Sequence, residues 1–178
     1  MRYHLAFMLA ALPRPLLMKF EHLIEINDPL NPLIDTLTRE QVWRGLVLRA
    51  ESPRMFVPHL DECTISDRTS GSFSRKLRYG DLVINDHVQL TPLHEVRVDV
   101  PAQGEIAAST LTMVIETPAE GVMLVRFSYD DGQPDSLDDV TKMYDEFKKS
   151  AYHESDLDTI RVVRELAAEG KLDATYLN

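Results

Sequence analysis

A chain of 178 residues with 44% hydrophobic and 27% charged side chains has the composition of one ordinary globular domain, which excludes a largely disordered protein. Its 29 acidic against 19 basic residues give a formal charge of −10, which repels phosphate backbones and anionic lipid and argues against nucleic acid as a partner. Cys63 is the only cysteine, so no internal disulfide can form, as suits a reducing, cytoplasmic compartment.

The first seventeen residues stand apart from the rest. Leu5 to Leu12 is apolar and follows Arg2, as in a secretory signal. The run is short, however, ends in Pro13-Arg14-Pro15, and lacks a small-x-small cleavage site. It is also far too short to span a bilayer. Residues 1–17 are therefore read as an extension, or as lying upstream of a start at Met18. Residues 18–170 form a single domain, and 171–178 a C-terminal tail.

From Met18 to Ile26 the pattern is that of a strand, with Phe20, His22, Ile24 and Ile26 on one face. Asn27-Asp28-Pro29 and Asn31-Pro32 break it. Thr38-Arg39-Glu40-Gln41 has the form of a capping box, and Val42, Trp43, Leu46, Val47 and Ala50 follow at helical spacing until Pro53. Arg54 to Val57 fits one further turn. From Asp61 to Asp131 the period becomes two. Turn signals at Thr69-Ser70-Gly71, Gly80-Asp81, Thr91-Pro92, Pro101 to Gly104 and Pro118 to Gly121 divide this stretch into six strands of an antiparallel meander.

Ser136 can cap a C-terminal helix, on which Val140, Met143, Tyr144, Phe147 and Ala151 form an apolar stripe. Beyond Ser155 the apolar positions Leu157, Ile160, Val163 and Leu166 fall on nearly the opposite side, at 100° per residue. One straight helix cannot bury both stripes against one surface, so a break or kink is expected near Ser155 and a stop at Gly170. The fold class is α+β: a seven-stranded antiparallel sheet wrapped around the long C-terminal helix, with two short helices after the first strand. A single helix fills the concavity of a twisted sheet incompletely, so an internal cavity follows.

This element order resembles the helix-grip superfamily of START-like and birch-pollen-allergen-like proteins, and within it the small AtaL-like branch. The resemblance runs from Met18 to about Gly170. It is carried by Phe20-Glu21-His22, by Leu37 to Glu51 with its tryptophan helix, by Phe56-Val57-Pro58 and Phe73 to Leu77, by Val125 to Asp131, and by Asp156 to Arg161. It implies a cavity able to hold a hydrophobic small molecule. The wider superfamily includes lipid carriers, hormone receptors and polyketide cyclases, so the resemblance leaves the activity open.

The hairpin at Tyr79-Gly80-Asp81-Leu82 supplies the most specific local expectation. A two- or four-residue loop pairs Leu77 with Ile84, Arg75 with Asp86 and Phe73 with Val88, all on the inner face. An arginine and an aspartate then oppose each other on an otherwise apolar face, either as polar anchors for a ligand or as a solvated pair at the rim. His22, inward on the first strand, is read as a core histidine with a backbone partner or as a ligand or catalytic group. Tyr144 is either core or a hydroxyl presented to the cavity, and Phe147, Phe73 and Phe127 are expected to line it. Met123, Val125, Phe127 and Tyr129 face in, and Arg126 out, if the loop after Thr117 has an odd length; an even loop reverses this. Trp43 anchors the first helix by packing, and Cys63 is an inward, inert thiol. His153-Glu154 with Asp156 and Asp158 is a solvated capping turn rather than a metal site. No Walker loop, HExxH, GxSxG or paired-cysteine motif is present, and no metal or other cofactor is indicated.

Three functions are compatible with these features. One is a binding module for a lipid-like or polyketide-like small molecule, with Arg75 and Asp86 as anchors. A second is a cyclase-like or hydrolase-like enzyme using His22, Tyr144, Arg75 and Asp86 in the same cavity. The third is a non-catalytic interaction protein that docks through the helix after Ser155. The expected partner is a hydrophobic small molecule, with no nucleic acid and no membrane span, and a homodimer is left open.

Overall fold

The structure is a computed structural model that describes residues 17–134 and 139–173. Strand β1 (Leu17–Asn27) is followed by helix α1 (Arg39–Glu51) and a single 3-10 turn at Pro53–Met55. Strands β2 (Glu62–Ser66), β3 (Ser72–Tyr79), β4 (Leu82–Thr91), β5 (Glu95–Val100), β6 (Ser109–Ala119) and β7 (Val122–Pro134) come next, and helix α2 (Asp139–Ala168) closes the chain. The seven strands form one antiparallel sheet in the order β1-β7-β6-β5-β4-β3-β2, so β1 returns to pair with the last strand of the meander. Among the described residues, no helix is long and apolar enough to cross a membrane.

The local chemistry explains the elements. The Thr38 hydroxyl accepts the Gln41 N–H at 3.1 Å while the Gln41 side chain accepts the Thr38 N–H at 2.9 Å, which closes the capping box of α1. The Asn27 side chain, buried where β1 ends, donates to the Leu37 carbonyl and accepts the Leu37 N–H. These two bonds fasten the loop between β1 and α1 to the sheet. Gly45 is where α1 and α2 touch closely, since a methyl group there would lie 2.7 Å from both Val163 methyls.

Two features of β-register settle which side chains face in. Tyr79 pairs with Leu82 across Gly80-Asp81, and from there Arg75 opposes Asp86 and Phe73 opposes Val88. At the other hairpin Ala119 pairs with Val122, so the loop is the even, two-residue Glu120-Gly121. A bulge between Glu116 and Ala119 shifts the register by one, and Ile115 then opposes Val125. The combination places Met123, Val125 and Phe127 in the core and leaves Arg126 on the outer face. There it binds Glu116 on β6 and Glu21 on β1.

Helix α2 corrects two expectations. It is unbroken over 30 residues, roughly 45 Å at 1.5 Å per residue, with no break at Ser155. The conflict between its two stripes is resolved by burying only the second. Ile160, Val163 and Leu166 enter the core against α1 and β1, whereas Val140, Met143, Tyr144 and Phe147 are 59 to 74% exposed. Tyr144 and Phe147 therefore do not line the interior. The helix stops as expected: Gly170 adopts a φ of +71°, and the N–H groups of Gly170 and Lys171 return to the carbonyls of Ala167 and Leu166. The expected cap at Ser136 lies outside the described residues.

Candidate functional site

Six of the seven strands and the middle of α2 line a partly open cavity of about 310 Å³, near the lower end of the roughly 300–1,000 Å³ usual for small-molecule sites. Phe20 on β1, Leu77 on β3, Ile84 on β4, Val98 on β5 and Leu111 on β6 supply its apolar surface. Tyr79, Asp86 and Tyr129 add polar groups from the sheet, and α2 contributes Lys148, Lys149 and Tyr152. That strands as distant as β1 and β3 share one wall shows how far the sheet curls. A wider groove of about 710 Å³ lies between the loop at Leu33 to Leu37 and the C-terminal half of α2. It lacks the convergent buried polar groups found around the smaller cavity.

Arg75 and Asp86 form one of these polar clusters. Both residues are 6% exposed. The Arg75 Nε donates to Asp86 Oδ1 at 2.8 Å and Nη2 to Oδ2 at 2.6 Å, a bidentate pair, while Nη1 donates to the Ala50 carbonyl at 2.9 Å. The pair thus ties the end of α1 to the β3–β4 hairpin. Asp86 reaches the cavity wall, whereas Arg75 is taken up by its two partners.

The second cluster was not legible as a site in the sequence. Asp156, read there as part of a solvated turn, is fully buried. Its two oxygens lie 2.8 and 2.7 Å from the Tyr129 hydroxyl, which donates to them. Tyr129 in turn stacks on Tyr152 with centroids 4.0 Å apart and rings 3° from parallel. Burial pushes the Asp156 carboxyl up to about 7, against the Arg49 charge and the tyrosine hydrogen bond that favour its ionised form. Burial, and then the neighbouring carboxylate, push the Tyr129 hydroxyl far above the usual tyrosine range.

His22 stacks on Phe127 at 5.6 Å and meets His153 edge-on at 4.9 Å. Its Nε2 lies 3.1 Å from Asp156 Oδ2 without the alignment a hydrogen bond needs, and neither ring nitrogen has a hydrogen-bond partner among the described residues. The expected backbone partner is absent from that set. Burial and the nearby His153 both lower its pKa, so the ring is neutral at physiological pH.

Of the residues singled out in the sequence, Asp86 lines the cavity and Arg75 holds it. Phe73 and Phe127 are buried in the core, and His22, partly buried, stacks on Phe127 and Tyr129; none of the three is among the residues that line the cavity. Tyr144 and Phe147 face outward. A signal for Asp156 did exist: it is four and seven residues before Ile160 and Val163, in phase with the buried stripe, where Leu157 is 41% exposed. An acid in phase with an apolar stripe is the mark of a buried polar site.

Comparison with known proteins agrees with the fold. The family model described as AtaL, acetylaranotin biosynthesis cluster protein L, matches residues 24–170. No curated protein sequence matches the chain. Among solved structures, the di-domain aromatase/cyclase StfQ of the steffimycin biosynthetic pathway superposes with a TM-score of 0.61 at 12% identity, covering 88% of this chain and 52% of that one. The chain thus spans about half the length of StfQ. The Zhui aromatase/cyclase of a Streptomyces species gives 0.58 at 13% identity, covering 89% and 98%. The Aha1 dimer of Colwellia psychrerythraea gives 0.56 at 14%, covering 83% and 96%. At these identities the likeness is one of fold.

Proposed function

The chain belongs to the AtaL family, and on that premise we propose that it binds an amphipathic small molecule, lipid-like or polyketide-like, in the cavity between sheet and α2. The observation that carries this reading is the cavity itself, whose apolar surface from β1, β3, β4, β5 and β6 faces the polar groups of Asp86, Tyr129, Tyr152 and Lys148. Such a site desolvates a flat or chain-like body and orients it by a few hydrogen bonds. Fluorescence titration with N-phenyl-1-naphthylamine, a neutral apolar probe, tests it. Saturable binding to one site is expected in the natural protein and is lost in Ile84→Trp, which fills the cavity. Binding unchanged by the filled cavity would overturn the reading.

An enzymatic reading is favoured by a separate observation. The Asp156–Tyr129 pair offers a carboxyl poised near neutrality, hydrogen-bonded to a tyrosine of the cavity wall. StfQ and Zhui, both described as aromatase/cyclases, share this fold, which supports such chemistry without assigning it here. Turnover of a polyketone chain that falls away in Asp156→Asn while probe binding persists would support it; turnover unaffected by that change would remove it.

A further inference from the structure

Tyrosines line the cavity from three elements, Tyr79 at the end of β3, Tyr129 on β7 and Tyr152 on α2, and they differ in what holds their hydroxyls. Tyr129 directs its proton to Asp156. The hydroxyls of Tyr79 and Tyr152 have no hydrogen bond among the described residues, although both side chains are half-buried. Their rings are nonetheless fixed. Tyr79 is set by the β3–β4 register, opposite Leu82, and Tyr152 lies face to face on Tyr129 with centroids 4.0 Å apart. Burial pushes both hydroxyls up from the usual tyrosine value, so each keeps its proton at physiological pH.

A protonated phenol is a donor that needs an acceptor once water is gone. An oxygen lone pair left unused inside a protein is common enough, but an unmatched donor is rare, because its lost hydration is not recovered elsewhere. An apolar body that fills the cavity drives out the water that serves the Tyr79 and Tyr152 hydroxyls. Acceptor oxygens on that body are what restore both bonds.

The charged side chains of the wall, by contrast, already have partners. Asp86 takes two hydrogen bonds from Arg75, Lys148 pairs with Asp131 at 2.6 Å and Lys149 with Glu146 at 3.0 Å. Asp130 accepts the Gly132 N–H at 2.9 Å. The carboxylates of Asp86, Asp130 and Asp131 would repel an anion, and among the described residues no unmatched cation lines the cavity to offset them. A cationic ligand would have to displace Arg75 from Asp86 or Lys148 from Asp131. What the wall leaves open is neutral.

We propose that the Tyr79 and Tyr152 hydroxyls donate to two acceptor oxygens of the bound molecule, so that the ligand is an uncharged compound with carbonyl-type oxygens on an apolar body, and not a free acid. The inference rests on the proposed binding function and adds the class of ligand and the two residues that select it. It also divides the tyrosines of the wall by role, with Tyr129 held for Asp156 and the other two free for recognition.

Displacement of bound N-phenyl-1-naphthylamine by matched naphthalenes tests the assignment. The set is 2,6-diacetylnaphthalene with two ketone oxygens, 2,6-diethylnaphthalene with none, and 6-acetyl-2-naphthoate, in which a carboxylate replaces one ketone. Tyr79→Phe and Tyr152→Phe remove only the hydroxyls, which hold nothing in the fold, so thermal melting should not change. Each variant is expected to bind the diketone about 2- to 10-fold more weakly, the size of one neutral hydrogen bond, and the double variant to multiply the two losses. The diethyl compound is expected to bind the variants within about twofold of the natural protein, or more tightly, since a stranded donor is gone. The naphthoate is expected to bind the natural protein more weakly than the diketone does. Diketone affinity unchanged in both variants, an equal loss for the diethyl compound, or a naphthoate that binds more tightly than the diketone would overturn the assignment while leaving the cavity reading intact. Failure of both N-phenyl-1-naphthylamine and the diketone to bind the natural protein would instead remove the cavity reading, and the ligand class with it.

Discussion

Replacing Asp156 by Asn should stabilise the protein above neutral pH and cost about 1–2 kcal/mol near pH 4, where the folded natural protein keeps the carboxyl protonated. The carboxyl is 0% exposed and its pKa rises from 3.8 to about 7 on folding. A carboxyl raised in this way binds its proton more tightly in the native state. Stability therefore falls as pH climbs from about 4 to about 7 and is level beyond. The gap from 3.8 to about 7, at roughly 1.36 kcal/mol per pH step, corresponds to about 4 kcal/mol withheld at pH 8. An amide keeps an acceptor for the Tyr129 hydroxyl and turns an NH₂ toward His22 Nε2, so the loss of the natural hydrogen bond costs at most about 1–2 kcal/mol. The Asp156→Asn variant is thus expected to gain about 2–3 kcal/mol at pH 8, the difference between those two figures. His22 acts in the other direction. Burial and His153 lower its pKa, so its contribution in the natural chain is lost as pH falls below the ordinary 6.5. Urea unfolding of both proteins, in small pH steps from mildly acidic to mildly alkaline buffer, gives the difference directly. A difference that does not change with pH, or a variant several kcal/mol weaker throughout, would mean that Asp156 is ionised and paired in the native state, and the reasoning would be wrong.

Gly45→Ala should destabilise by about 1–2 kcal/mol, because strain against the Val163 methyls outweighs the better helix propensity of Ala. Adding Val163→Ala should recover part of that loss in the same thermal melts. Asp86→Ala strands the buried Arg75 and should cost about 3–5 kcal/mol in urea unfolding, whereas making both residues apolar recovers most of it; a single-variant loss under about 1 kcal/mol would contradict the burial. Tyr144→Ser and Phe147→Ser, on the uncovered stripe, should each stay within about 0.5 kcal/mol of the natural protein. Tyr152→Ala, which removes the ring stacked on Tyr129, should cost about 2 kcal/mol and weaken binding of the neutral probe.

The sheet was legible because a strand offers only two faces. Once Gly80-Asp81 fixed a tight turn, the alternation of Phe73, Arg75 and Leu77 against Ile84, Asp86 and Val88 left one register that kept the apolar set together, and that register is observed. At the second hairpin the side-chain pattern does not fix the turn. The inward placement of Met123, Val125 and Phe127 came out as expected, but through an even loop and a bulge at Glu116 to Ala119 rather than through an odd loop. Two local solutions gave the same side-chain pattern, and pattern alone does not distinguish them.

Helix α2 was harder because a stripe records that apolar residues share a face, not that the face is covered. Val140, Met143, Tyr144 and Phe147 form as good a stripe as Ile160, Val163 and Leu166, and only the latter meet α1 and β1. Reading both as buried forced a kink that the helix does not have, and it sent Tyr144 and Phe147 to the cavity in place of Tyr152 and Lys148. The polar half of the site escaped for a related reason. Asp156 is a residue whose default position is the surface, and it is drawn inward by a partner far away in sequence, Tyr129. The sheet supplies Tyr129 from β7 and α2 supplies Asp156, so the pair forms where the two elements meet. A site made from the gap between elements has no motif of its own, since the gap is set by packing and only its edges are written along the chain.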